Sequence, residues 1–140
     1  MVKQLNLFRA QSLNVNRDFK ECLATIVNES GLSRVEFMDK MNGVASRFGI
    51  RLIKGNGTGG LTMATFEKWL NVEHTQYVPP IAAITVICEV GNTLEPLRIF
   101  ARALDVEVID EQRSKRLKWA DAYLEARDAR KTMKKLEAEI

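Results

Sequence analysis

The sequence predicts an all-α fold, a five-helix domain followed by one long C-terminal helix. Three observations carry that prediction. Apolar residues recur at three- and four-residue spacing through most of the chain; the same helix-start signal occurs twice, at residues 32–37 and 61–66; and residues 111–140 contain neither Gly nor Pro. In Leu32-Ser33-Arg34-Val35-Glu36-Phe37 the Ser33 hydroxyl can accept a bond from the third backbone N–H, and Glu36 can reach back to the Ser33 N–H. Leu32 and Phe37 supply the accompanying hydrophobic staple. Leu61-Thr62-Met63-Ala64-Thr65-Phe66 repeats the cap and the staple, with Thr65 in place of the acid that a full capping box requires.

Taken in order, residues 1–15 read as an N-terminal arm with Leu5, Leu7 and Phe8 as anchors. The first helix runs from about Asp18 to Ser30, with Asp18 and Glu21 as a capping pair, an apolar face of Phe19, Cys22, Leu23, Ile26 and Val27, and Gly31 as the stop. The second runs from Arg34 to about Phe48, with Val35, Met38, Met41, Ala45 and Phe48 inward. The third spans Met63 to about Asn71 and buries Met63, Phe66 and Leu70. Pro79 and Pro80 suit the first turn of a fourth helix, whose run from Ile81 to Val90 is apolar nearly all round and so belongs at the centre of a domain. Gly91-Asn92 stops it. A fifth helix follows from about Leu94 to Leu104, with Leu94, Leu97, Phe100 and Leu104 inward, and Val106 to Ile109 forms an extended connector. The domain therefore spans residues 16–110, and residues 111–140 form the appended helix, for packing or oligomerisation. Its stripe is Leu117, Ala120, Tyr123/Leu124, Ala126/Ala129, Met133, Leu136 and Ile140. The middle, from Glu125 to Thr132, is sparse and charged, which predicts a short packing contact at each end rather than a continuous coiled coil.

Composition bounds the function. No apolar run is long enough to cross a membrane, and the first residues lack a secretory apolar segment, so a cytoplasmic protein is expected. Cys22 and Cys88 read as buried free thiols. With one histidine, His74, no Cys/His cluster and no carboxylate pair in an apolar setting, neither a metal site nor catalytic machinery is expected; the chain does not read as an enzyme. The net charge of +3 is unevenly spread: residues 1–60 carry +4, residues 61–80 carry −1, residues 81–110 carry −3 and residues 111–140 carry +3. A polyanion thus suits the N-terminal half better than the middle.

Two consecutive firmly started helices, the second short and polar on its outer face, have the layout of a helix-turn-helix at about residues 33–71. Burying Met63, Phe66 and Leu70 turns Thr62, Thr65, Lys68 and Asn71 outward, where hydroxyl, amide and amine groups can meet double-stranded DNA. Arg34, Arg51 and Lys54 are candidates for the phosphates, and Trp69 reads as core or interface. The turn is unusually long, residues 49–61. Within it Ile50-Arg51-Leu52-Ile53 resembles a short strand, and Gly55-Asn56-Gly57-Thr58-Gly59-Gly60 matches the glycine spacing of a dinucleotide-binding loop. No second strand follows, and Glu73 stands too close to serve as the ribose-binding acid, so no cofactor is expected. The insertion is read as a flexible loop or a small β-hairpin.

The order of parts resembles the CII-like regulatory proteins of temperate phages and prophages. The resemblance lies in Leu32-Ser33-Arg34-Val35-Glu36-Phe37, in Thr65-Phe66-Glu67-Lys68-Trp69-Leu70-Asn71, and in the pair of helices joined by Glu89-Val90-Gly91-Asn92-Thr93 before Pro96-Leu97. It covers residues 17–106; the Gly-rich insertion and the long basic C-terminal helix depart from it. It implies a DNA-binding transcription regulator that acts as a homodimer or higher homo-oligomer. The competing expectations are a protein–protein adaptor built on helix 111–140 and a nucleotide-binding protein using the Gly55–Gly60 loop.

Overall fold

The computed structural model describes residues 13–53 and 60–140. Among them lie six helices and no strand: α1 (Asn16–Glu29), α2 (Arg34–Phe48), α3 (Met63–Leu70), α4 (Ala83–Gly91), α5 (Glu95–Ala103) and α6 (Glu111–Ala138). No described helix is long and apolar enough to cross a membrane. The chain divides into two compact units, Met1–Glu107 and Val108–Ile140.

In the first unit α1 packs on α3 and α5, and α2 packs on α4. The core joins Phe19, Leu23 and Val27 of α1, Phe37 and Met41 of α2, Phe66, Trp69 and Leu70 of α3, and Ala83, Val86 and Ile87 of α4. The Phe37 and Phe66 rings stack with centroids 6.2 Å apart, and Trp69 meets Phe66 edge-on at 6.5 Å. Both helix-start signals form as the sequence indicates. Ser33 Oγ accepts from the Glu36 N–H at 3.1 Å, and Glu36 Oε1 accepts from the Ser33 N–H at 3.4 Å. Thr62 Oγ1 accepts from the Thr65 N–H at 3.4 Å. Gly49 ends α2 in the left-handed region at φ 67°, and Asn92 ends α4 there at φ 50°.

Several expectations are corrected. α1 starts at Asn16 behind Val15, with no side-chain cap; Glu21 instead pairs with Arg17 at 3.3 Å, and Val15 is buried against Ile99 and Ala103. The rest of the arm, residues 1–12, lies outside the described residues. Val35 and Phe48 are exposed, while Phe37 is fully buried. Phe37, Met38, Met41 and Ala45 already complete one helical face, and Val35 stands about 200° round the wheel from Phe37. The Pro79-Pro80 pair precedes α4 rather than opening it. The Ala83 and Ile84 N–H groups donate to the Pro80 and Ile81 carbonyls in a tight turn, which leaves Ile81 exposed and starts the helix at Ala83. On α5 the buried residues are Pro96, Ile99, Ala101 and Ala103, whereas Leu97, Phe100 and Leu104 are more than one-third exposed. Phe100 nevertheless meets the core, its ring centroid 5.4 Å from that of Phe19.

Residues 50–53 form no strand. Leu52 is buried, with Ile50 and Ile53 half-buried beside it, so the segment is an apolar anchor rather than a sheet edge. The proposed hairpin and the glycines from Gly55 to Gly59 lie outside the described residues, as does Lys54. In the second unit α6 is continuous, capped by Asp110 Oδ1 on the Arg113 N–H at 2.7 Å, and buries no side chain. Trp119, Tyr123 and Leu124 are exposed on it.

Ile87 is fully buried and Ile84 only half-buried. In urea unfolding Ile87→Ala should cost about 2–5 kcal/mol, and Ile84→Ala clearly less. Equal losses at the two sites would contradict this placement.

Candidate nucleic-acid interface

α3 is eight residues long, too short to hold its position by its own hydrogen bonds. Both of its ends are fixed by side chains from other helices. At the N-terminal end the Asn42 amide of α2 grips one residue by both backbone groups: its Nδ2 donates to the Leu61 carbonyl at 3.0 Å, and its Oδ1 accepts from the Leu61 N–H at 2.7 Å. Gly60 is required beside this grip, because a Cβ there would stand 2.3 Å from Asn42 Oδ1. The long insertion therefore ends where α2 holds it, one residue before the Thr62 cap.

At the C-terminal end Lys20 of α1 is the one buried charged side chain among the described residues. Its Nζ donates to the Lys68 carbonyl of α3 at 2.6 Å and to the Tyr77 carbonyl of the following loop. A cation at a helix C-terminus also meets the negative end of the helix dipole. Desolvation pushes the Lys20 ammonium below the usual lysine value of 10.5. A third link joins Arg34 of α2 to Glu67 on the flank of α3.

Between these clamps α3 turns an uncovered face outward. Thr62 and Lys68 are exposed and Thr65 is half-buried, its Oγ1 accepting from the Thr62 hydroxyl at 3.2 Å. The Lys68 ammonium lies 4.9 Å from the centre of the Tyr77 ring, which steadies the chain while leaving the charge at the surface. Asn71 is exposed but committed to its own turn: its Oδ1 accepts from the Glu73 N–H at 3.1 Å, and its Nδ2 lies 3.5 Å from His74 Nδ1. Arg34, Glu67, Lys68, Asn71 and His74 rim an open cleft of about 360 Å³.

Of the residues singled out in the sequence, Thr65 and Lys68 thus lie on α3, Thr62 and Asn71 cap its two ends, and Arg34 pairs with its Glu67. Arg51 is exposed on the segment after α2, and Lys54 lies outside the described residues. Lys20, Asn42 and Glu67 were not singled out, yet they set the position of α3. Lys20 carried a readable signal: it lies three and seven residues before Leu23 and Val27, on the apolar stripe itself. Among the described residues no cluster of His, Cys, Asp and Glu could hold a metal. Cys22 and Cys88 are free and half-buried. Burial, with the nearby Glu95 carboxylate and Cys88, pushes the Cys22 thiol up to about 11. Comparison of the chain with family models, curated proteins and solved structures gives no match.

Lys20→Met leaves the Lys68 and Tyr77 carbonyls without this donor, a loss of about 1–3 kcal/mol at neutral pH. The pH dependence has a definite sign. Because the folded-state value is lowered, the unfolded chain binds more protons between that value and 10.5, and Lys20 makes stability rise with pH across that window. Cys22 acts oppositely, lowering stability from its ordinary 9.0 up to about 11. Urea titrations of parent and Lys20→Met isolate the lysine: the difference between them should grow as pH climbs toward 10.5.

Proposed function

We propose that this protein binds double-stranded DNA as a transcription regulator, with α3 as the recognition helix and two copies of the chain reading paired half-sites. The observation that supports it best is the way α3 is held. A short helix fixed at both ends from α1 and α2, with Thr62, Thr65 and Lys68 on its uncovered face, has the layout of a groove reader: rigidly placed, small and polar outward. The resemblance to the CII-like phage regulators points the same way.

Roles follow from the geometry. Thr62 and Thr65 offer hydroxyls near the N-terminal end of α3, the end that approaches base edges in such motifs. Lys68 supplies charge. Arg34 is already paired with Glu67, so its role is to set the angle between α2 and α3 rather than to grip a phosphate. Asn71 is spent on its turn. Direct base reading by one copy is therefore narrow, which is why two copies belong to this reading.

The nucleotide-binding alternative loses support from the same contacts. No strand leads into the glycine segment among the described residues. The Leu61 N–H, which would face a phosphate at the end of that segment, already donates to Asn42.

Fluorescence titration against duplex DNA at several salt concentrations tests the proposal. Thr65→Ala should relax sequence preference while sparing non-specific binding. Lys68→Ala, Arg51→Ala and Lys54→Ala should weaken binding to every sequence, each flattening the slope of log affinity against log salt by about 0.9. Arg34→Ala should act through stability rather than through that slope. A parent protein that binds no duplex even at low salt would refute the proposal.

A further inference from the structure

The last helix carries two apolar stripes, not one. Leu117, Ala120 and Leu124 run along one side. On the other, Trp119, Ala122, Ala126, Ala129, Met133, Leu136 and Ile140 repeat at alternating three- and four-residue steps without a break. Reading both sides as a single stripe makes the middle look charged. In the register that starts at Trp119 the middle is alanine, and the seam is a heptad a/d pattern over three heptads. α6 is helical along this seam from Trp119 through Leu136, with Ile140 just past the helix end, and buries none of these side chains. Trp119 stacks on Tyr123, one turn later, with centroids 5.7 Å apart, and both are exposed.

We infer that two copies of this chain pair through α6 as a short antiparallel coiled coil. Charge complementarity selects both the occupant and its direction. With Ala126 placed opposite Ala129 of the second copy, Trp119 meets Leu136 and Ala122 meets Met133, so the layers grade from bulky at the two ends to alanine at the centre. The same register sets Lys118 against Glu139 of the second copy, Arg116 against Glu137, and the Tyr123 ring against Arg130; by two-fold symmetry each contact occurs twice. A parallel pair would gain Glu125 against Arg130 and Glu111 against Arg116, but it would set Lys115 against itself in the seam. It would also crowd both copies of Arg113, Lys115, Arg116 and Lys118 together at one end. Helix dipoles favour the antiparallel arrangement as well.

This pairing names the surface that would supply the dimer in the DNA-binding reading. Its test contains no DNA, so either can fail alone. Sedimentation equilibrium on the full chain should show a monomer–dimer equilibrium. Lys118→Glu and Glu139→Lys, both at exposed positions, should each weaken it about tenfold, since each turns two attractive contacts repulsive. The double variant should recover the parent's association, and an equimolar mixture of the two single variants should associate where neither does alone. In a parallel pair these residues stand about 31 Å apart and no such rescue can occur. Circular dichroism keeps folding separate from association. A parent that sediments as a monomer at every concentration overturns the inference, as does a dimer indifferent to both charge reversals or one that the double variant fails to restore.

Discussion

One ammonium group at the end of a buried lysine connects three parts of the first unit. Lys20 reaches from the apolar face of α1 to the last turn of α3 and to the loop that leads toward α4. Taking this charge out of water is costly, and the cost is offset only while both carbonyls stay in place. That makes the contact demanding in geometry: a small displacement of α3 would leave a cation without its acceptors. An apolar residue at the same position would tolerate sliding. The lysine therefore gives more in definition of position than in net stability, and a helix of eight residues has most need of definition.

The opposite end of α3 faces a different problem. A thirteen-residue connection leaves the start of the helix with many possible approaches, although its closure entropy grows only slowly with length. Asn42 removes that freedom by imitating a strand partner, donating to and accepting from the same residue. Gly60 is the sequence consequence, since any side chain there would collide with the amide. With both ends settled, what lies in the interior of the insertion need not alter where α3 sits. The three- or four-residue turn usual between two such helices is thus replaced by a thirteen-residue connection whose last residue is fixed.

Local signals were legible in the sequence because they are satisfied within a few residues. The Ser33 capping box, the Thr62 cap and the left-handed stops at Gly49 and Asn92 depend on neighbours alone, and each formed where its residues indicate. Facing was less legible. On α5 the buried set is Pro96, Ile99, Ala101 and Ala103, while Phe100 keeps contact with Phe19 at more than one-third exposure, so packing rather than periodicity decided how far each residue is covered. Val35 is apolar but lies off the stripe filled by Phe37, Met41 and Ala45, whereas Phe48 continues that stripe and is exposed because it is the last residue of α2. Outward placement of Thr62, Thr65 and Lys68 was legible because it follows from burying Phe66 and Leu70. The partners that hold α3 were less so: Lys20 betrays itself only by standing on the apolar stripe of α1, and the groups that Lys20 and Asn42 hold lie 48 and 19 residues away in sequence.

The division of the chain bears on how such a protein could reach useful affinity. On the DNA-binding reading, the surface of α3 is sparing: it has no arginine, its neighbour Arg34 is neutralised by Glu67, and Asn71 is occupied. Weak reading of this kind gains most from being doubled, because a second site tethered to the first meets its half-site at high effective concentration. The helix that would do the tethering has an alanine-rich seam with charged contacts at its ends, a combination suited to reversible rather than permanent association. Dimerisation and DNA binding would then strengthen each other by linkage, and the concentration of the chain itself would set occupancy. A tighter seam, with leucine at Ala126 and Ala129, would remove that dependence, so the alanines are the residues on which a concentration-sensitive regulator would turn.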